Sequence, residues 1–250
     1  MAERPISSGQ TLVRAQAETL DRFFGKEAIP QPPGELLEFV ERTTELGFTF
    51  EPYFEPAVTF SEQASYPGWR VKPESWFWRM IKEGKISQES ARLSGTWMAM
   101  EALQKPNYTD GTQLHQNDAL APILEKLRRQ GGIEIPDWCT HIPSTSRFGI
   151  SAIEIEERVI PAFVEISRPK NGQIHLPGYM SWNYRGNIAH PEWGKTTSWE
   201  WFKDSFGSGH RLDGGLSHFG GLGSVLCNLS DNRYGAIAFR FSASFPSSKP

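Results

Sequence analysis

The sequence predicts an α+β protein, with a mainly helical N-terminal region (residues 1–110) followed by a region of short strands and long loops (residues 111–250). Two observations support this division. Apolar residues at helical spacing are concentrated before residue 105, whereas the C-terminal part combines short apolar runs with paired glycines. A chain of 250 residues buries about three quarters of the surface exposed in its unfolded state, so it needs no metal or disulfide to hold a core.

Helical spacing predicts helices over residues 11–24, 35–46, 73–82 and 87–103. Gly47 follows the second of these segments, in the position where glycine commonly ends a helix. These helices account for most of the N-terminal region, which would serve as a support, as an assembly module or as part of the following domain.

Residues 48–60 alternate weakly and contain two prolines, so an edge strand or an extended loop fits better than a central strand. Aromatic residues are dense just after this segment. We expect them to pack in the core or between domains rather than to form a ligand platform, because large aromatic side chains dominate core burial. They are Trp69, Trp76, Phe77, Trp78 and Trp97.

In the second region, residues 119–130 predict an amphipathic helix that ends at two glycines, and residues 133–136 predict a short strand. Ser151 and Glu154 have the spacing of a capping box. The helix that they begin should continue to residue 166 and be kinked or split at Pro161. A short strand over residues 172–177 and a helix over 178–189 follow.

Four short motifs then occur in order: IHLP at residues 174–177 before a helix carrying Trp182, TSWEW at 197–201, RLDGGLS at 211–217 and IAFR at 237–240. Together they resemble the formylglycine-generating-enzyme-like proteins, which have a C-type lectin fold. The resemblance implies a C-type-lectin-like domain within residues 111–250, with short twisted antiparallel strands, two helices and long loops.

The last of these motifs lie in a stretch of restricted composition. Lys, Glu, Gln, Met and Trp make up 55 of the first 203 residues but are absent from residues 204–248, where about twelve would be expected by composition. Burial in strands excludes Lys, Glu and Gln, but it does not exclude Trp or Met in a chain this rich in Trp. The gap therefore needs another cause.

The chain is similar to one branch of the same fold, the variable proteins of diversity-generating retroelements. In that family, adenines of a template repeat are randomised, chiefly in Asn codons that end in a pyrimidine. Such codons can give every residue type except Lys, Glu, Gln, Met and Trp. The resemblance implies a non-enzymatic, hypervariable ligand-binding protein whose diversified segment spans about residues 204–245.

Within this segment, some residues have the character of a fixed backbone and core frame: Gly214, Gly215, Gly220, Gly221, Ile237, Phe239 and Arg240. Others are mixed in type, show no burial period and are expected to be solvent-facing ligand contacts. They are Asp213, Leu216, His218, Phe219, Ser224, Leu226, Asn228, Ser230, Asp231, Asn232, Tyr234 and Gly235. Aromatic anchors among short polar groups are typical of an antibody-like binding surface. We expect Arg240 itself to pair with a buried carboxylate such as Glu200.

The alternative is a formylglycine-generating-enzyme-like oxidase or a related metal-dependent enzyme on the same fold. The chain departs from it because Cys139 and Cys227 are far apart and the six histidines lack a metal-ligand spacing. A calcium-dependent lectin is less favoured still, since its ligand motifs are absent. We therefore predict no catalytic residue, no metal and no cofactor.

Charge and hydropathy limit the partners. The net charge is −3 and basic residues are spread along the chain, which argues against nucleic acid. No apolar run is long enough for a transmembrane segment, and the first residues lack the pattern of a signal peptide. The expected partner is a protein or another cell-surface molecule, bound by a protein that is cytoplasmic or displayed on a virion or cell by another route.

Overall fold

The computed structural model describes residues 8–24, 29–108, 113–139 and 141–246. These residues form a mixed α+β structure with two four-stranded sheets. The α+β class predicted from the sequence is thus confirmed.

The helices are α1 (Ser8–Phe24), α2 (Gly34–Glu45), α3 (Ser75–Lys82), α4 (Ala121–Arg129), α5 (Ala152–Glu154), α6 (Ile160–Ser167) and α7 (Tyr179–Ile188). Five of them, α1, α2, α3, α4 and α7, were each predicted from the sequence close to their observed positions. Gly47 after α2 and Gly131 after α4 have φ of +88° and +71°, the left-handed conformation that ends a helix at low cost for glycine.

The capping box at the start of α5 is confirmed: the Ser151 hydroxyl accepts from the Glu154 amide, and the Glu154 carboxylate accepts from the Ser151 amide. The helical run that follows is continuous from Ala152 to Ser167, so the chain is not split in two at Pro161. A π-helical turn, Ile155–Val159, joins α5 to α6, and Pro161 lies in the first turn of α6.

The strands are β1 (Phe50–Phe54), β2 (Trp97–Glu101), β3 (Gln173–His175), β4 (Trp199–Phe206), β5 (His210–Gly214), β6 (Val225–Leu229), β7 (Ile237–Ala238) and β8 (Ser242–Phe245). One sheet has the order β1-β2-β8-β3 and the other β6-β5-β4-β7. The proline-containing β1 is therefore an edge strand, which confirms the first of the two possibilities for residues 48–60, and β3 confirms the strand predicted over 172–177.

The helix predicted over residues 87–103 is wrong. A short 3-10 helix, Gln88–Ala91, is followed by Gly95 with φ of +72°, and the chain then enters β2. Every residue of β2 is buried, since the strand lies between β1 and β8 in the centre of its sheet. Its Met and Ala residues favour a helix, but burial on both faces outweighs that propensity.

The strand predicted over residues 133–136 is also wrong, because these residues form an irregular connection between α4 and a 3-10 turn, Asp137–Cys139. Their alternating isoleucines imitate a strand, although only Ile133 is fully buried.

The main hydrophobic core contains residues from Leu20 to Phe245, and a smaller cluster holds Cys139, Ile142, Phe148 and Ala238. The aromatic residues that were expected to pack in a core do so: Trp69, Phe77, Trp78 and Trp97 are buried and Trp76 is partly buried against them. Strands from before residue 110 share a sheet with β3 and β8, so the predicted domain boundary crosses that sheet.

Candidate functional site

Strands β4, β5 and β6 lie side by side, and their register decides which side chains share a face. Trp201 of β4 pairs with Asp213 of β5, which pairs with Leu226 of β6. Directly paired side chains of antiparallel strands point to the same face, here termed the outer face. Glu200 points to the opposite, inner face, where its carboxylate accepts the indole N–H of Trp182 from α7 at 2.8 Å.

Eight of the twelve residues predicted to contact a ligand are exposed or half-buried. They come from the loop after β5, from β6 and from the loop before β7, and we term them the C-terminal surface. Its members are His218, Phe219, Leu226, Asn228, Asp231, Asn232, Tyr234 and Gly235.

The other four predicted contacts were expected to face solvent, and that expectation is wrong: Asp213, Leu216, Ser224 and Ser230 are buried. Asp213 lies in a strand with a neighbour on each side. The Ser224 carbonyl accepts from the Gly215 amide, and the Ser230 hydroxyl donates to a backbone carbonyl. Three of the four are short polar residues, and Leu216 is a single apolar residue between Gly215 and Ser217, so no hydrophobic pattern predicts their burial.

Two tryptophans of β4 support aromatic residues of the C-terminal surface. The ring of Phe219, which is 63% exposed, lies with its centroid 5.9 Å from that of Trp199. The ring of Tyr234 lies 5.8 Å from that of Trp201 in an edge-to-face arrangement. Both indoles therefore contribute apolar contact area on one side of β4. An aromatic surface backed by rigid rings loses little side-chain freedom on binding.

Asp213 is buried next to the C-terminal surface, where it contacts Asn228. Its Oδ2 accepts from the Asn228 side-chain amide at 2.8 Å, whereas its Oδ1 is buried without a hydrogen-bond partner among the described residues. Burial raises the pKa of the Asp213 carboxyl to about 7, and the bond from Asn228 opposes that rise. A carboxyl group with one unsatisfied oxygen is more stable in its neutral form here.

The inner face is held by a buried ion pair. Arg240 donates to the Glu200 carboxylate, with Nε–Oε1 at 2.9 Å and Nη2–Oε2 at 3.0 Å, and both side chains are 1% exposed. The Arg240 guanidinium also lies 3.7 Å from the centroid of the Trp193 ring. The pairing of Arg240 with Glu200 that the sequence predicts is thus confirmed, and it ties β4 to the segment after β7.

Glycines of the frame allow close backbone contact. A Cβ atom at Gly214 would lie 2.2 Å from the Ser224 carbonyl oxygen. Gly215 has φ of +94°, and its carbonyl accepts from the buried Lys105 ammonium at 2.6 Å. Lys105 is the residue that sequence reasoning missed, because it lies in a turn-rich passage where a lysine is ordinarily exposed.

Two further ion pairs fasten the C-terminal segment to the helical run that begins at Ser151. Arg211 donates to Glu156 at 2.7 Å, and Arg233 donates to Glu154 at 2.7 Å. Glu154 therefore has two roles, as a helix cap and as an anchor for the loop before β7. Only the cap could be predicted, because the ion pair joins residues 79 positions apart in sequence.

In the described ranges, no cluster of three or more His, Cys, Asp or Glu side chains that could hold a metal is found. Cys139 and Cys227 are free cysteines, and burial raises the pKa of each thiol. A raised pKa lowers the thiolate fraction and with it the reactivity of the sulfur. Within the same described residues, no helix has the length and hydropathy needed to cross a bilayer.

Comparisons with known proteins gave no match to this chain among family models, curated proteins or solved structures.

Proposed function

We propose that this chain is a ligand-binding protein whose C-terminal surface is diversified by a retroelement on a C-type-lectin-like scaffold. The observation that carries the proposal is the absence of Lys, Glu, Gln, Met and Trp from residues 204–248. These are the residue types that randomised Asn codons ending in a pyrimidine cannot give. The order of the four motifs between residues 174 and 240 supports the same family.

The arrangement of the segment is suited to repeated replacement. The C-terminal surface lies on loops and on an edge strand, β6, where substitutions disturb few neighbours. The frame beneath it is fixed by the Glu200–Arg240 pair and by the close contact between Gly214 and Ser224. The residues of the C-terminal surface that would vary are therefore different from the residues that pack in the frame beneath it.

A genomic observation tests the proposal directly. A reverse transcriptase gene and a near-copy of the sequence encoding residues 204–245 should lie beside this gene, and the copy should differ mainly at adenines. Codons for His218, Phe219, Leu226 and Asn232 should be among those that differ. Absence of both the reverse transcriptase and the near-copy would refute the proposal.

A binding experiment tests the function itself. We expect a display library randomised at His218, Phe219, Leu226, Asn228 and Asn232 to remain folded and to yield binders for unrelated proteins. A matched library randomised at five frame positions, Gly214, Gly215, Ile237, Phe239 and Arg240, should yield few folded members. If the two libraries fold equally often, or if the first yields no binders, the surface is not a recognition site.

A further inference from the structure

A cavity of about 690 Å³ lies between α1, the segment before α3 and the loop between β5 and β6. Phe23, Val71 and Leu222 supply part of its apolar lining, and Ser217 and Gly220 line it from the loop that also carries Phe219. A volume of several hundred Å³ is typical of sites for small molecules. The cavity thus adjoins the C-terminal surface but is built mostly from residues outside residues 204–245.

The charge of this cavity is one-sided. Arg22, Arg70 and Lys195 line it, and no Asp or Glu is among the described residues of its walls. None of the three cations forms an ion pair with a carboxylate in the described part of the chain. Within the described ranges, the acceptors of the Arg22 guanidinium are neutral: a backbone carbonyl and a threonine hydroxyl. In a chain of net charge −3, three uncompensated cations around one cavity create a local positive potential.

The walls are held in place by close backbone contact. A Cβ atom at Gly68 would lie 2.8 Å from the Phe23 Cα atom, which shows how closely this segment packs on α1. A Cβ atom at Gly194 would lie 2.5 Å from the Leu222 amide nitrogen. Because these contacts join backbone to backbone, the spacing between the walls is set before any ligand enters. A preformed site loses less free energy on binding than one that must be ordered.

We infer that this cavity binds a compact polyanion, a ligand with several carboxylate or other oxyanion groups. Arg22 and Arg70 present planar guanidinium groups suited to bidentate contact with oxyanions, and Lys195 adds a mobile point charge. The inference is independent of retroelement diversification, since it requires only the cavity and its three cations.

Citrate, a compact tricarboxylate, is the probe for this site. Isothermal titration calorimetry of the full chain at low ionic strength should show saturable binding of citrate that weakens as sodium chloride is added. Arg70→Gln and Lys195→Gln should each weaken binding about threefold to fivefold, as expected for exposed ion pairs, and the double variant about tenfold or more. Arg79→Gln removes the same charge from an exposed arginine outside the cavity and should leave the affinity unchanged.

Arg70→Lys keeps the charge but loses the bidentate geometry, so it should weaken citrate binding less than Arg70→Gln does. Circular dichroism of each variant separates loss of binding from loss of folding. Two results would overturn the inference. One is no saturable citrate binding by the unmodified chain, and the other is equal weakening by Arg79→Gln and Arg70→Gln.

Discussion

Replacement of Asp213 by Asn should change how the stability of the protein depends on pH. Burial raises the pKa of Asp213 from 3.8 to about 7. Because the folded state then binds the proton more tightly than the unfolded state, the stability contributed by the neutral carboxyl is fully present below about pH 4 and is lost as pH rises to about 7. One pKa unit corresponds to about 1.4 kcal/mol, so the loss has an upper limit of about 4 kcal/mol.

In the Asp213→Asn variant, the new side-chain amide stays neutral at every pH, and its carbonyl oxygen can still accept from the Asn228 amide. Urea unfolding at pH 4.5, 6 and 8 measures the free energy of unfolding of both proteins. We expect the variant to gain stability relative to the unmodified chain as pH rises, by up to about 4 kcal/mol at pH 8. Subtraction of the two curves removes the contribution of every other titrating group that the substitution leaves unaltered.

Asp231→Asn provides the matched control, because it removes the same charge from an exposed position in the same segment. Its stability curve should run parallel to that of the unmodified chain. If Asp213→Asn also runs parallel between pH 4.5 and 8, the Asp213 carboxyl is not neutralised by burial and the reasoning fails.

Three other substitutions, measured by urea unfolding, test whether the frame residues stabilise the fold and the surface residues do not. Glu200→Gln leaves the Arg240 charge buried and should cost about 3–5 kcal/mol, whereas Glu192→Gln at a more exposed position should cost little. Gly214→Ala forces its new Cβ against the Ser224 carbonyl and should cost about 1–3 kcal/mol or more, while Gly34→Ala, where nothing lies within 4 Å, should not. Phe219→Ala, at a 63% exposed ring, should stay within about 0.5 kcal/mol of the unmodified chain; a larger loss there would show that the surface carries part of the fold.

Local patterns in the sequence predicted most helices of this fold because their signals lie within a few residues of each other. The capping box of Ser151 and Glu154 and the glycine after α2 are examples. Strand β2 was missed because its burial comes from β1 and β8, and β8 lies more than a hundred residues away in sequence. The hydrophobic periodicity of a short segment carries no information about a neighbouring strand that lies so far away in sequence.

The contacts of the candidate site also include some that the sequence could predict and some that it could not. The pairing of Arg240 with Glu200 could be predicted because a lone arginine between two phenylalanines needs a buried carboxylate. The burial of Asp213 and Ser224 could not be predicted from the sequence. Asp213 is buried because its strand pairs with β6, and Ser224 lies in the turn just before β6. The contact of Lys105 with Gly215 joins residues 110 positions apart and carries no sequence signal.

The buried Asp213 limits which positions of the segment can vary freely. A residue at this position must fit between Trp201 and Leu226 and leave the neighbouring strands paired, so the side chains tolerated there are fewer than at Phe219. Exposed positions tolerate most substitutions within about 0.5 kcal/mol, whereas buried polar positions commonly cost more. A diversified surface on this scaffold would therefore draw its usable variation from the eight residues of the C-terminal surface, and the tryptophans beneath it would keep the same apolar support for each new set of side chains.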